Sequence, residues 1–275
     1  MAATSGFDWS KAWVEQLSRS NHQNRLRNLG VSSEDFWDGF SSWQEMHRYT
    51  GYPGKVLERV LESVDSQTTV LDIGAGNGAF AVPLAKAAKQ VTAVEPSSGQ
   101  IGRLMENAAT AGVKNITILQ SRWEEVDSAE LGCHDVVVAA YCFQMKDIRA
   151  ALQKMCDTAK RSLFLLYFVD HDLVKPLHEI TGNSNTGPDY IYLLNILYEM
   201  KHHANLDILA RDYEIPLELQ LDAFVYSHGL STEHRDKLQH FLESEGKTYP
   251  RDGRLWVKRR YVDALIRLDK EGQCR

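Results

Sequence analysis

Cysteine is scarce: the chain has four in 275 residues (Cys133, Cys142, Cys156 and Cys274), and no two form a CxxC pair. Free thiols in a reducing cytoplasm are the expectation. No HExxH stretch or Cys/His cluster is present, so no metal is expected. Apolar runs are short. None approaches the roughly 20 residues that cross a bilayer. The start, MAATSGFDWSKAW, has no basic segment followed by an apolar one, so it does not read as a signal peptide. Positive charge is also lacking: 31 Lys and Arg stand against 37 Asp and Glu, a net charge of −6. Such a chain has no field to hold nucleic acid or an anionic membrane, and neither is expected as a partner. Internal repeats and low-complexity tracts are absent. The oligomeric state is left open.

What is there is an ordinary globular composition, 43% apolar and 25% charged. Its length suits one large domain or a core with a smaller cap. Residues 1–50 carry Trp9, Trp13, Trp37 and Trp43 at spacings that suggest short helices. GYPG (51–54) marks a turn. KVLERVLESV (55–64) then puts Val56, Leu57, Val60, Leu61 and Val64 on one helical face.

From residue 70 the pattern changes. Apolar runs of five to seven residues recur: VLDIG, QVTAVEP (90–96), NITILQ (115–120), DVVVAAY (135–141) and SLFLLYF (162–168). Helical segments separate most of them. Continuous apolar strands alternating with helices predict a doubly wound, mostly parallel α/β sheet of seven strands. The βα core spans 51–170. Residues 171–230 break the rhythm and read as a helical cap insertion, with PDYIYLLNILYEM (188–200) and DILARDYEIPLELQLDAF (207–224) as its helices. Residues 231–275 supply a polar helix and a terminal strand region, LWVKRRYVDALIRL (255–268), that completes the sheet.

The stretch VLDIGAGNGAF (70–80) carries glycines at 74, 76 and 78 just after a strand. Such a turn lets backbone approach a ligand, and the next helix offers unpaired N–H donors. In a parallel sheet that place lies at the ligand crevice. GAGNGA also fits the dinucleotide pattern, which alone is weak. Asp72 weighs against a pyrophosphate, whose charge it repels, and suits a cationic ligand. Glu95, ending the second strand, can accept both ribose hydroxyls, a feature common to NAD and S-adenosylmethionine sites.

VLDIGAGNG, VTAVEPS, ILQSRWEEV, HDVVVAAYCF and RSLFLLY together resemble the ordered motif series of class I S-adenosylmethionine-dependent methyltransferases, over residues 51–170. The resemblance implies that Asp72, Gly74, Ala75, Gly76 and Asn77 hold the methionine part of the cofactor. It implies that Glu95 holds the ribose, with Pro96 and Ser97 beside the adenine. The resemblance also implies that Ser121, Arg122 and Trp123 cap the adenine. Many members have an acidic residue near position 122. Arg122 departs from that, which points to a backbone or stacking contact from Trp123. By the same resemblance Ala139, Ala140 and Tyr141 are expected to face the methyl group.

Methyl transfer from a sulfonium needs alignment and dryness more than a base. The acceptor is therefore less legible. Members acting on exocyclic amines of nucleobases carry an Asn/Asp-Pro-Pro-aromatic motif after the fourth strand, and AAYCFQMKD has no proline. A small-molecule acceptor is the expectation, held by the variable segments. His171 and Tyr141 are the candidate catalytic residues, and Tyr52, His171, Tyr190 and Asn195 the candidate substrate contacts. The alternatives are an NAD-dependent oxidoreductase on the same fold and a non-catalytic protein that keeps the nucleoside cradle.

Overall fold

The computed structural model describes residues 6–185 and 187–270. Eight strands form one sheet: β1 (Thr69–Ile73), β2 (Gln90–Val94), β3 (Ile116–Leu119), β4 (His134–Ala140), β5 (Ala159–His171), β6 (Asn205–Pro216), β7 (Thr248–Arg251) and β8 (Arg254–Asp269). The order is β3-β2-β1-β4-β5-β8-β6, seven strands, and β7 adds a short hairpin to β8. The first five strands run parallel. β8 is antiparallel to both β5 and β6.

Alternate residues of each central strand feed different layers, which is why the strands read as unbroken apolar runs. Leu71, Ile73, Val137, Ala139, Leu163 and Leu165 join one core cluster; Val70, Val136, Val138, Phe164 and Leu166 join the other. Thirteen helices are described, beginning with α1 (Trp9–Arg19), α2 (Asn21–Leu29), α3 (Ser33–Gly39), α4 (Ser41–Thr50) and α5 (Gly54–Leu61). Next come α6 (Ala81–Ala85), α7 (Ser98–Ala111), α8 (Ser128–Leu131) and α9 (Ile148–Thr158). The last are α10 (Val174–Thr181), α11 (Tyr190–Glu199), α12 (Leu217–His228) and α13 (Thr232–Ser244). α1, α9 and α11 supply the first cluster, and α5, α6 and α7 the second.

A third cluster joins the two variable parts of the chain. Leu26, Phe36, Phe40 and Met46 from the N-terminal helices pack with Leu173, Leu177, Leu221, Phe224 and Leu238. The N-terminal segment and the late helices are thus one body beside the crevice.

Two expectations need correction. Residues 207–216, expected as helix, form most of β6, which pairs with β8 at every position from Asn205 to Pro216. Its charges lie on a half-exposed ribbon, where Asp212 meets Arg260 and Glu214 meets Arg251 across the strands. The segment 171–230 is therefore not a purely helical cap: it carries a strand of the main sheet. The second concerns the thiols. Cys142 and Cys156 are free, Cys133 is disulfide-bonded, and Cys274 lies outside the described residues. Among the described residues, no helix is long and apolar enough to cross a membrane.

Candidate active site

Strand order reverses between β1 and β4, so connections leave in opposite directions and a crevice opens beyond their carboxyl ends. The glycine turn after β1 fills its floor. Gly74 and Ala75 donate to the Val94 carbonyl at 2.8 and 3.1 Å, which ties the turn to β2. Gly74 has φ +68°, and a Cβ there would meet the Cys142 Cβ at 2.4 Å. Gly76 has φ +54°, yet its nearest neighbour in the direction of a Cβ is Gln100 Oε1 at 3.9 Å. One glycine is needed for packing, and the next faces open space.

Glu95 locks the turn. Its Oε2 accepts from the Gly76 amide and its Oε1 from the Ser97 amide, each at 2.8 Å. A carboxylate has about four lone-pair sites, so two remain for a ligand. Burial raises its pKa, against the pull of the two amides. Asp72 is 1% exposed, and its Oδ2 has no partner among the described residues. Burial pushes its pKa up to about 7, against a hydrogen bond from the Ala81 amide. A buried carboxylate with an orphaned oxygen is costly unless a cation or donor joins it.

The cavity over this floor measures about 440 Å³, within the range of cofactor sites. Gly74, Ala75, Gly76, Asn77, Glu95, Pro96, Arg122, Trp123, Ala140 and Tyr141 all line it, as does Tyr52. Asp72 and Ser97 do not. Asp72 lies on β1 just before the turn. Ser97 caps α7, accepting from Gln100 N at 3.0 Å and donating to Asp38. Trp123 reaches the cavity, but its indole N–H is held by the Ala151 carbonyl at 3.2 Å. The Lys154 ammonium covers its ring at 4.4 Å.

The roof was not legible in the sequence beyond Tyr52, expected there as a substrate contact. His22, Gln23, Leu26, Glu34, Trp37 and His47 line the cavity from the N-terminal helices. Arg122 Nε and the second terminal nitrogen reach Glu34 at 2.7 and 2.9 Å, a bidentate pair across the crevice. Position 122 thus lacks a carboxylate of its own but acquires one from α3. Burial favours the neutral Glu34, but the Arg122 bonds prevail and its pKa is lowered.

His171, Tyr190 and Asn195 line neither this cavity nor the second one described below. β5 runs on to His171, which pairs with Tyr261 of β8. The imidazole is packed by Phe168, Tyr261 and Phe224. Burial, with Arg259 and His228 nearby, holds its pKa well below the usual value. Tyr190 packs against the core, and Asn195 donates to Ile191 O of its own helix at 2.8 Å.

Tyr141 behaves differently. It follows β4 with φ +56°, a left-handed conformation that costs a tyrosine of order 1–3 kcal/mol. Its amide donates to Leu166 O at 3.0 Å. Its hydroxyl donates to Asp263, which is 2% exposed and accepts from Arg211 Nε at 3.0 Å. The Arg211 guanidinium lies 4.5 Å from the Tyr261 ring centre and 5.2 Å from that of Tyr52. Burial raises the Tyr141 pKa far above that of a free phenol, so the hydroxyl remains a donor. Neither Arg211 on β6 nor Asp263 on β8 carries a sequence motif. Tyr141 and Gln144 also line a second cavity of about 250 Å³, bounded by β5, α10 and the chain before α11.

The open face of Gly76 and the free sites on Glu95 fit a nucleoside, and the orphaned oxygen of the buried Asp72 favours a cationic one over a dinucleotide. Residues 70–162 match a family described as a methyltransferase domain. These residues are similar to that methyltransferase family, and the likeness agrees with the motif series that runs through them. The chain is 34% identical over 167 residues to an uncharacterized protein of Haemophilus influenzae, covering 58% of this chain and 60% of that one. It is 30% identical over 132 residues to a tRNA/tmRNA (uracil-C(5))-methyltransferase of Idiomarina loihiensis, covering 45% of this chain and 36% of the relative. The chain thus spans less than two thirds of the length of these curated relatives. The YcgJ protein of Bacillus subtilis shares the fold, with TM-score 0.55 and 16% identity over 79% of this chain and 99% of that one.

The RNA-modifying relative corrects one expectation. Net negative charge and a missing proline motif were read as excluding nucleic acid and favouring a small molecule. Neither inference stands, because net charge averages over the whole surface, and the absent motif concerns exocyclic amines rather than ring carbons such as uracil C5.

Proposed function

We propose that the protein transfers a methyl group from S-adenosylmethionine to an acceptor that approaches over Tyr141. The cofactor supplies a methyl group already activated on a sulfonium. The protein's own work is then binding, alignment and exclusion of water. Asp72 sets a negative charge beneath the turn. Glu95 holds the diol, and Gly74 and Gly76 let the backbone close in. The N-terminal helices roof the cavity and keep it dry.

One observation carries this reading: the cofactor cavity and the second cavity share Tyr141 and Gln144 at the carboxyl end of β4. A donor on one side and an acceptor on the other would meet there. The dinucleotide alternative gains nothing from a turn with a buried carboxylate directly before it.

Calorimetry with S-adenosylhomocysteine tests the cofactor half, and no heat at millimolar ligand would end the reading. Tritium transfer from labelled S-adenosylmethionine tests the activity. Separate arms with cellular RNA and with a small-molecule extract report the acceptor class. Absence of label in both arms, with the cofactor bound, would favour a non-catalytic binder.

A further inference from the structure

We propose that the 250 Å³ cavity beyond Tyr141 seats a flat, uncharged ring, and that this ring carries the atom to be methylated. The proposal rests on the methyl-transfer reading and specifies its acceptor.

Four rings form the walls: Tyr141, Phe143, Tyr167 and Phe168. Phe143 and Tyr167 lie with centroids 5.4 Å apart at 37°. Both phenols have their polar ends engaged elsewhere. The Tyr141 hydroxyl donates to Asp263, and the Tyr167 hydroxyl donates to Pro188 O at 2.8 Å. What they can offer an occupant is therefore ring surface, which favours offset or edge-on packing with another ring. The rest of the apolar lining is Val169, Val174 and Pro188, rigid or branched side chains that keep a fixed shape.

Size narrows the occupant. An apolar cavity of about 150 Å³ accepts benzene. The space here takes one ring with substituents, not a long chain.

Charge narrows it further. The lining contains no Lys or Arg, and its one acidic side chain, Asp189, is exposed. A carboxylated or phosphorylated ring would find no Lys or Arg to pair with. Three polar groups, Gln144, His178 and Asp189, lie among the apolar ones. Gln144 Oε1 accepts from Gln23 at 3.0 Å, which leaves its NH₂ free to donate toward a ring substituent. A few polar groups in an apolar site fix orientation without carrying the affinity.

Such a ring has two sources. It is a free metabolite, or a base turned out of a nucleic acid chain into the pocket. The shared chemistry is what the cavity recognises, and the source is an experimental outcome.

The test uses the full chain saturated with S-adenosylhomocysteine. Catechol, uridine, a short oligouridylate and cyclohexane-1,2-diol are titrated by ligand-observed NMR, with benzoate as the charged control. The expected result is that catechol or uridine binds, while cyclohexanediol and benzoate bind at least about tenfold more weakly. Phe168→Ala should weaken the planar probe about five- to 150-fold, the range of one base–aromatic stack, with unchanged affinity for S-adenosylhomocysteine. Phe143→Leu provides the same reading should Phe168→Ala fail to fold. Oligouridylate binding tighter than uridine assigns the ring to a polymer, and the reverse assigns it to a free compound. The proposal is overturned if the saturated ring binds as well as the planar ones. It is equally overturned if no planar probe binds the cofactor-loaded protein, or if both variants leave that binding unchanged. Failure of S-adenosylhomocysteine itself to bind would instead overturn the methyl-transfer reading.

Discussion

Replacing Asp72 by Asn should stabilise the empty protein and cripple its cofactor binding. The two effects have one cause. Asp72 is buried with one oxygen unpartnered, and its pKa is pushed up to about 7. In an unfolded chain the same carboxyl titrates near 3.9. Between these values the folded state keeps a proton that the unfolded state has lost. Stability present below pH 4 is therefore lost as pH rises through 7, by about 4 kcal/mol at 1.36 kcal/mol per pKa unit. Asn carries no charge but must still bury an amide, at about 1–3 kcal/mol. A net gain on the order of 2 kcal/mol at pH 8 corresponds to a rise in Tm of about 4 °C for a chain of this size. The cofactor reverses the sign. A cationic group at the turn binds only the ionised carboxylate. The ionised fraction rises from about 0.09 at pH 6 to about 0.91 at pH 8 for a pKa near 7, so affinity should rise about tenfold across that range. A charge-assisted contact, direct or through one water, is worth about 1.5–3 kcal/mol, so Asp72→Asn should bind about 10- to 150-fold more weakly at pH 8. Titration with S-adenosylhomocysteine at pH 6, 7 and 8, on both proteins, separates the carboxylate from any titration of the ligand. Parallel pH profiles for the two proteins, or equal affinities at pH 8, would refute the reasoning.

Three further outcomes are expected. Glu95→Ala removes the lone pairs proposed for the ribose and also frees the Gly76 and Ser97 amides; calorimetry should show S-adenosylhomocysteine bound about five- to 150-fold more weakly, for a loss of about 1–3 kcal/mol. Gly74→Ala sets a Cβ 2.4 Å from that of Cys142 at φ +68°; urea unfolding should register a loss of at least about 2 kcal/mol, combining overpacking with left-handed strain. Arg122→Ala cuts the half-exposed bidentate pair with Glu34; global stability should fall by less than about 1 kcal/mol, while stopped-flow release of S-adenosylhomocysteine quickens. An unchanged release rate would show that this pair does not hold the roof.

The central strands were readable because burial on both faces leaves an unmistakable apolar run. The glycine turn was readable because positive φ and close approach demand one residue type. Glu95 was readable from its place at the end of β2. What escaped reading depends on contacts made far along the chain. β6 hid because its burial is partial and its charges find partners on β8 and β7 rather than on a helix face. Arg211 and Asp263 look like ordinary strand charges until the antiparallel pairing brings them together. Glu34 and His22 belong to helices whose local sequence says nothing about the crevice they cover. His171 was misread for a geometric reason. β5 continues past the level where the parallel strands stop, and it carries the imidazole into the β8 contact instead of the cleft.

The crevice holds two arrangements that cost free energy, the unpartnered Asp72 and the left-handed Tyr141. Such features persist where the surroundings over-determine them. Asp72 lies on β1, which has β2 on one side and β4 on the other, so the strand has no room to turn the carboxyl outward. Tyr141 is held at both ends, by Leu166 O through its amide and by Asp263 through its hydroxyl. Asp263 is in turn fixed on β8, between β5 and β6, and paired with Arg211 of β6. The late antiparallel strands therefore do more than close the sheet. They carry the pair of Arg211 with the buried Asp263 that keeps Tyr141 between the two cavities, and a chain lacking that pair would have little reason to keep a tyrosine in this backbone conformation.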